Sequence, residues 1–302
     1  MRSDSRLPFF QKVYYRRRLN YPATTVFRIA VKPLGDTKLT STNDFILTTS
    51  GLTKSFGGLI AVNDVSIDVE RGSIKAIIGP NGSGKTTLFN LITGALSPTS
   101  GKVYFEGQDI TRTSMHQRAR KGISRSYQIT NIFPHQTTFE NIRLAVQGCS
   151  GAGVNFFGML KDAGSFNHFH ERVIEIATIV GLDPARLYVP AALIPHAEQR
   201  KLEIAMALAT EPRLLLLDEP AAGMSIEEIP EVIDAILRVK DSYGDDLTLL
   251  VVEHKMDIVM RLSEEIIALA EGKMIAKGTP DEIREDERVL TAYLGDTNDK
   301  LA

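Results

Sequence analysis

One cysteine, Cys149, stands in 302 residues. That scarcity excludes an intramolecular disulfide and any all-cysteine metal site, and it is the usage of a reducing compartment. Long apolar runs are also missing: none approaches the roughly eighteen residues that cross a bilayer. Met1-Arg2-Ser3-Asp4 leads into no long apolar core, so no secretory signal is expected. Neither sign of charge dominates, with 35 Lys and Arg against 37 Asp and Glu. The net charge of -2 gives no global reason to expect nucleic acid or an acidic substrate as partner. There is no internal repeat. What remains is an ordinary soluble composition, 43% hydrophobic and 24% charged. It suffices for one large domain or two modest ones.

What is present centres on Gly79-Pro80-Asn81-Gly82-Ser83-Gly84-Lys85-Thr86-Thr87. An apolar run, Ala76-Ile77-Ile78, precedes it, and Leu88, Phe89, Leu91 and Ile92 follow at helical spacing. Strand, glycine-rich loop, helix, with a complete GxxxxGK[ST] match, is a phosphate-binding loop. The glycines let backbone N–H groups curl inward toward phosphate oxygens, and the helix adds its positive end. Lys85 supplies a point charge for the β- and γ-phosphates of a nucleotide triphosphate, and Thr86 a hydroxyl for Mg²⁺.

Residues 1 to about 44 read differently from the rest. Tyr14-Tyr15-Arg16-Arg17-Arg18 is an aromatic-basic cluster, and Pro8, Pro22 and Pro33 interrupt any long element. The segment is either a tether to anionic headgroups or a partner, or a solvated extension. The folded domain is expected over 45–290, with 291–302 as a tail. Phe45 to Thr49 and Val65 to Val69 read as strands around a turn at Gly57-Gly58. Ile74 to Ile78 reads as a strand buried on both faces. Val103 to Phe105 is a further short strand, and Met115 to Gly122 a short surface helix.

From about 131 to 195 the pattern becomes helical, through Phe139 to Val146 and Phe169 to Val180. A Gly/Ser-rich piece from Cys149 to Gly153, with Phe156 and Phe157, lies between them. This reads as a helical subdomain inserted into the sheet. Leu202 to Ala209 follows as a helix face and Leu214 to Leu217 as a central strand. Ser225 with Glu228 reads as a capping box, although Pro230 sits inside the expected helix. Leu247 to Val252 is another strand, Ile266 to Ala276 a hairpin around Gly272, and Pro280 to Tyr293 one amphipathic helix. The alternation predicts an α/β domain with a mostly parallel sheet and an antiparallel portion.

A phosphate loop alone says only that a nucleotide binds. Asp218 and Glu219, closing the Leu214–Leu217 run, add chemistry. A carboxylate at the end of a buried strand can hold Mg²⁺, and its neighbour can orient or deprotonate a water attacking the γ-phosphate. His254 ends another strand and can reach the same edge of the sheet.

With these residues in place, the sequence resembles the ATP-binding subunits of ABC transporters, and within them the branched-chain amino acid, urea and amide uptake subfamily. The most specific strings are Gly79 to Thr87, Asn90 to Gly94, Leu214 to Gly223, and Val252 to Met256. Ala221-Ala222-Gly223 and Lys273 to Thr279 favour this subfamily. The resemblance implies a P-loop NTPase core with ATP and Mg²⁺ as cofactors. By position, Phe56 resembles the aromatic that stacks on adenine. Gln128 resembles the glutamine that senses Mg²⁺ and the attacking water and links them to the membrane subunit. Asp218 matches the metal-holding aspartate, Glu219 the catalytic glutamate and His254 the switch histidine. Ala222-Gly223-Met224 matches the turn that crosses the dimer interface. Implied partners are a second ATPase subunit, two transmembrane permease subunits and, indirectly, a solute-binding protein. Nucleic acid is not among them. The implied location is peripheral, on the cytoplasmic face of the inner membrane.

One motif departs. Where the family carries Leu-Ser-Gly-Gly-Gln or close to it, this chain has Ile194-Pro195-His196-Ala197-Glu198. The family's serine hydroxyl and glycine backbone bind the γ-phosphate on the opposite subunit. Proline has neither hydroxyl nor N–H, and the alanine methyl is expected to obstruct close backbone approach. The chain is therefore expected to bind ATP in its own phosphate loop and serve a partner's ATP poorly, within a heterodimer of unequal sites. Two alternatives remain open: an ABC ATPase for lipopolysaccharide-type export, and a nucleotide-binding regulatory subunit with little hydrolysis.

Overall fold

The computed structural model describes residues 44–126, 132–149 and 163–298. The expected extension before Asp44, Gln128, and the loose piece beyond Cys149 with Phe156 and Phe157 lie outside these residues.

Strand β1 (Phe45–Phe56) pairs with β2 (Leu59–Val65) around the Gly57-Gly58 turn, and with β3 (Asp68–Glu70). The single strand expected from Val65 to Val69 is thus divided between β2 and β3. Thr49 explains the division. Its buried hydroxyl donates to the Val65 carbonyl and accepts the Ile67 N–H, both at 3.0 Å, replacing ladder bonds at the break. Next come β4 (Ile74–Ile78), helix α1 (Lys85–Thr93), β5 (Ser100–Phe105), β6 (Gln108–Asp109) and α2 (Met115–Arg120). β7 (Ile123–Ser126), a strand not expected from the residue pattern, precedes α3 (Thr138–Cys149) and α4 (Ala163–Ile179). Then follow α5 (His196–Leu208), β8 (Leu214–Asp218), α6 (Ile229–Tyr243), β9 (Thr248–Val252) and α7 (Met256–Leu262). A hairpin of β10 (Glu265–Ala270) and β11 (Lys273–Gly278) leads to α8 (Pro280–Glu285) and α9 (Glu287–Asn298).

These strands make two sheets. One is antiparallel, in order β2-β1-β5-β6 with β3 also on β1. Among the described residues the other has six strands in order β11-β10-β4-β9-β8-β7, and β11 is its only antiparallel member. The apolar runs divide by alternation. Leu215, Leu217, Leu249 and Val251 face a cluster shared with α3 to α6. Leu214, Leu216, Leu250 and Val252 face one shared with α1 and the antiparallel sheet. Both faces are covered, as a parallel sheet requires.

Two helix expectations change. Pro230 lies in the first turn of α6, where its missing N–H leaves no bond unmade. Only half of the expected capping box forms: Glu228 accepts the Ser225 N–H at 3.1 Å. The helix expected from Pro280 to Tyr293 is two helices. Asp286 breaks it by accepting the Arg288 N–H at 2.8 Å as the cap of α9. Arg288 holds that carboxyl down to about 2. α9 continues past 290, so the boundary drawn there falls inside a helix. Among the described residues, no helix is long and apolar enough to cross a membrane.

Candidate functional site

The phosphate loop leaves β4 at Ile78 and enters α1 at Lys85. Gly84 sits at the helix start with φ 100, and a Cβ there would lie 2.4 Å from the Ala61 carbonyl of β2. Only glycine meets both conditions. No side chain caps α1, which leaves its first N–H groups for an anion. Lys85 is buried, and its ammonium donates to the carbonyls of Gly79 at 2.8 Å and Pro80 at 2.9 Å. Asn81, Gly82 and Thr86 are exposed, Thr87 is half-buried, and Ser83 is buried with its carbonyl accepting the Gly272 N–H at 3.1 Å. Phe56 ends β1 at 45% exposure, with the Lys54 ammonium 5.0 Å from its ring centre. One ring at this exposure offers a stacking surface.

Asp218, Glu219 and His254 meet at the C-terminal edge of the parallel sheet, because β4, β9 and β8 are neighbours there. Asp218 is buried and ion-paired with Arg125 of β7. Arg125 also donates to Asn90 Oδ1 at 2.6 Å and lies over the Phe89 ring, both on α1. The phosphate-loop helix and the Asp218 carboxylate are therefore one bonded group. Glu219 adopts φ 47, an uncommon backbone for glutamate, and its N–H donates to the Val252 carbonyl at 2.9 Å. Its Oε1 lies 3.8 Å from His254 Nδ1.

Beneath this pair is a residue the sequence reading passed over. Glu253 is fully buried. One carboxylate oxygen accepts the Ala221 N–H at 3.0 Å and the other the His254 N–H at 3.1 Å. It joins the chain after Glu219 to the chain at His254 and fixes their relative position. An acid closing an apolar run was the signal for Glu253, and an arginine inside a short strand was the signal for Arg125. Arg118 was missed too. It is buried and donates to the Leu91 and Ile92 carbonyls at 2.7 and 2.6 Å, satisfying the C-terminal end of α1. Burial lowers its guanidinium to about 10, still charged at neutral pH.

The departing stretch forms the start of α5. Pro195 is its N-cap and offers no side-chain bond. Gln199 Nε2 donates to the Ile194 carbonyl at 3.1 Å. His196 lies beside the Ala222-Gly223-Met224 turn: a Cβ on Gly223 would be 3.7 Å from its ring. Glu198 is buried, pairs with Lys201 at 2.8 Å and accepts the Asp183 N–H at 3.1 Å. Ala197 corrects an expectation. It is 3% exposed and belongs to the cluster beneath α5, so its methyl is spent in the core. Any obstruction falls to Pro195.

The Thr86 hydroxyl and Asp218 carboxylate are hard oxygen donors of the kind Mg²⁺ takes alongside phosphates and water. Among the described residues no group of three or more His, Cys, Asp or Glu could hold a metal.

Comparison with known proteins follows the same lines. The profile of the family described as ABC transporter matches residues 62–222, and that described as branched-chain amino acid ATP-binding cassette transporter matches 273–297. The chain is similar to the high-affinity branched-chain amino acid transport ATP-binding protein BraF of Pseudomonas aeruginosa. The identity is 37% over 255 residues, covering 83% of this chain and 98% of the relative. LivG of Escherichia coli K12, with the same description, is 36% identical over the same shares. A crystal structure of a nucleotide-free ATP-binding cassette from an ABC transporter superposes with TM-score 0.70 at 29% identity, covering 82% of this chain and 98% of that one. Another cassette in its ADP conformation gives TM-score 0.70 at 28% identity, covering 84% and 100%.

Proposed function

The chain belongs to the ABC transporter ATP-binding cassettes, in their branched-chain amino acid branch, and from that premise we propose how this ATPase subunit works and what it serves. It couples ATP hydrolysis to solute uptake, and the solute is a branched-chain amino acid or a related small polar molecule. The observation that carries the reading is the meeting of an uncapped α1 N-terminus and Lys85 with Asp218, Glu219 and His254 at one sheet edge. The α1 N–H groups and Lys85 hold the phosphates, and Phe56 stacks on the base. Thr86, Asp218 and Gln128 would hold Mg²⁺, which would supply charge neutralisation on the phosphates. Glu219 polarises the attacking water, and His254 steadies the γ-phosphate.

Two permease subunits, a second ATPase subunit and a solute-binding protein complete the transporter, with this chain peripheral on the cytoplasmic face. Its own phosphate loop hydrolyses against the partner's signature. The site that depends on Pro195 turns over slowly, because the N-cap of α5 presents neither a hydroxyl nor an N–H to a facing phosphate.

The test is affinity purification of the tagged chain from detergent-solubilised native membranes. Recovery of a different ATPase subunit and two many-helix proteins, with leucine-stimulated ATPase after reconstitution with the solute-binding protein, is expected. Recovery with soluble proteins alone would remove the uptake assignment.

A further inference from the structure

Helix α9 turns one face to the sheet. Val289 and, one turn on, Tyr293 pack with Ala76, Ile78, Ile266 and Ala268. Ile78 is the last residue of β4, and the phosphate loop begins at the next residue. There the Gly79 N–H donates to the Tyr293 hydroxyl at 3.0 Å. The Gly79 carbonyl accepts from the Lys85 ammonium at 2.8 Å. One residue of the loop therefore carries the C-terminal helix on its N–H and the phosphate-binding cation on its C=O. Gly79 is also hemmed in: a Cβ would lie 2.2 Å from the Leu269 carbonyl and 2.5 Å from Ser83 Oγ. Burial pushes the Tyr293 phenol up, against the pull of the Gly79 N–H, so the hydroxyl stays neutral.

We propose that Tyr293 is a positioning residue for nucleotide, acting through its hydroxyl on the Gly79 peptide. When phosphates arrive, the Lys85 ammonium shares its three N–H donors between these carbonyls and phosphate oxygens. Its hold on the two carbonyls then weakens. The Tyr293 hydroxyl holds the Gly79 peptide through that change, so the loop keeps the shape that the α1 N–H groups need. Without it, the loop's own cation–carbonyl pairing competes with the nucleotide over a wider range of backbone positions. The inference rests on the phosphate-loop reading and not on the identity of the solute or the assembly.

The test is Tyr293→Phe in the full chain, which removes one oxygen and keeps the ring. Affinities for ATP and ADP are measured by calorimetry well below the melting temperature, with hydrogen exchange followed over 79–88. Both Kd values are expected to rise about three- to tenfold, the worth of one hydrogen bond, since the loop grips phosphates common to both nucleotides. Amides of the loop are expected to exchange faster. Val289→Ala separates site from packing: it lowers the melting temperature but keeps the hydroxyl, and its Kd values are expected to stay within about twofold. Unchanged affinity in Tyr293→Phe overturns the proposal, whether or not stability falls. An equal loss of affinity in Val289→Ala also overturns it, because loosened packing would then explain both. If the wild-type chain binds neither nucleotide, the phosphate-loop reading falls and takes this proposal with it.

Discussion

Helices α1 and α5 both begin without a side-chain cap. α6 and α7 lack one as well, while on α2 and α8 Ser114 with Gln117 and Thr279 with Glu282 form complete capping boxes. The starts of α1 and α5 differ in what surrounds them. α1 begins at a left-handed glycine, carries Lys85 in its first turn and has no acid there. α5 begins at Pro195 and has Glu198 in its first turn, a negative charge where an incoming phosphate would need a positive field. Lys201 balances that charge, but it also reaches Glu231 at 3.0 Å, so its ammonium is shared between two carboxylates. One start is built for an anion; the other keeps the helix geometry and lacks the chemistry.

That contrast can be broken in stages. Lys85→Ala strikes the furnished end and is expected to reduce ATP hydrolysis by about 10²-fold or more, with weaker nucleotide binding seen in the same calorimetry. Glu219→Gln in this chain is expected to abolish most hydrolysis of the assembled transporter, while the equivalent change in the partner leaves most of it. Equal losses from the two would show that the sites are equal after all. Furnishing the poor end is the gentler experiment. Pro195→Ser is expected to raise steady-state hydrolysis about threefold or more, with nucleotide affinity of the isolated chain unchanged, since a hydroxyl and an N–H return together. No gain would mean that Pro195 is neutral. Glu253→Gln puts an amide NH₂ where a carboxylate oxygen met an N–H. It is expected to cost about 1–3 kcal/mol in chemical denaturation and to slow hydrolysis with little change in nucleotide affinity.

Much of the sheet was legible because buried strands leave long apolar runs: Ile74 to Ile78, Leu214 to Leu217 and Leu247 to Val252 needed no other signal. The phosphate loop was legible because it is contiguous. The failures share a cause. Arg125, Arg118 and Glu253 are polar side chains whose partners lie far along the chain, and periodicity carries no record of such partners. Thr49 divided a strand through bonds to Val65 and Ile67. Asp286 divided a helix by capping rather than by breaking the apolar pattern. Tyr293 was placed at the edge of a tail because its role depends on a hydrogen bond to Gly79, whose position in space the sequence does not give.

The left-handed backbone at Glu219 has a genetic consequence. Apart from a stop, single-base changes in a glutamate codon reach only Lys, Gln, Gly, Ala, Val and Asp. At φ 47 a valine is strained by its branched Cβ, while glycine and aspartate are the comfortable choices. Glycine discards the carboxylate and aspartate draws it back by one methylene. The replacements that the backbone accepts most readily are thus those that withdraw the acid from the water it would address. Drift at this position is confined by conformation and by chemistry pulling in opposite directions.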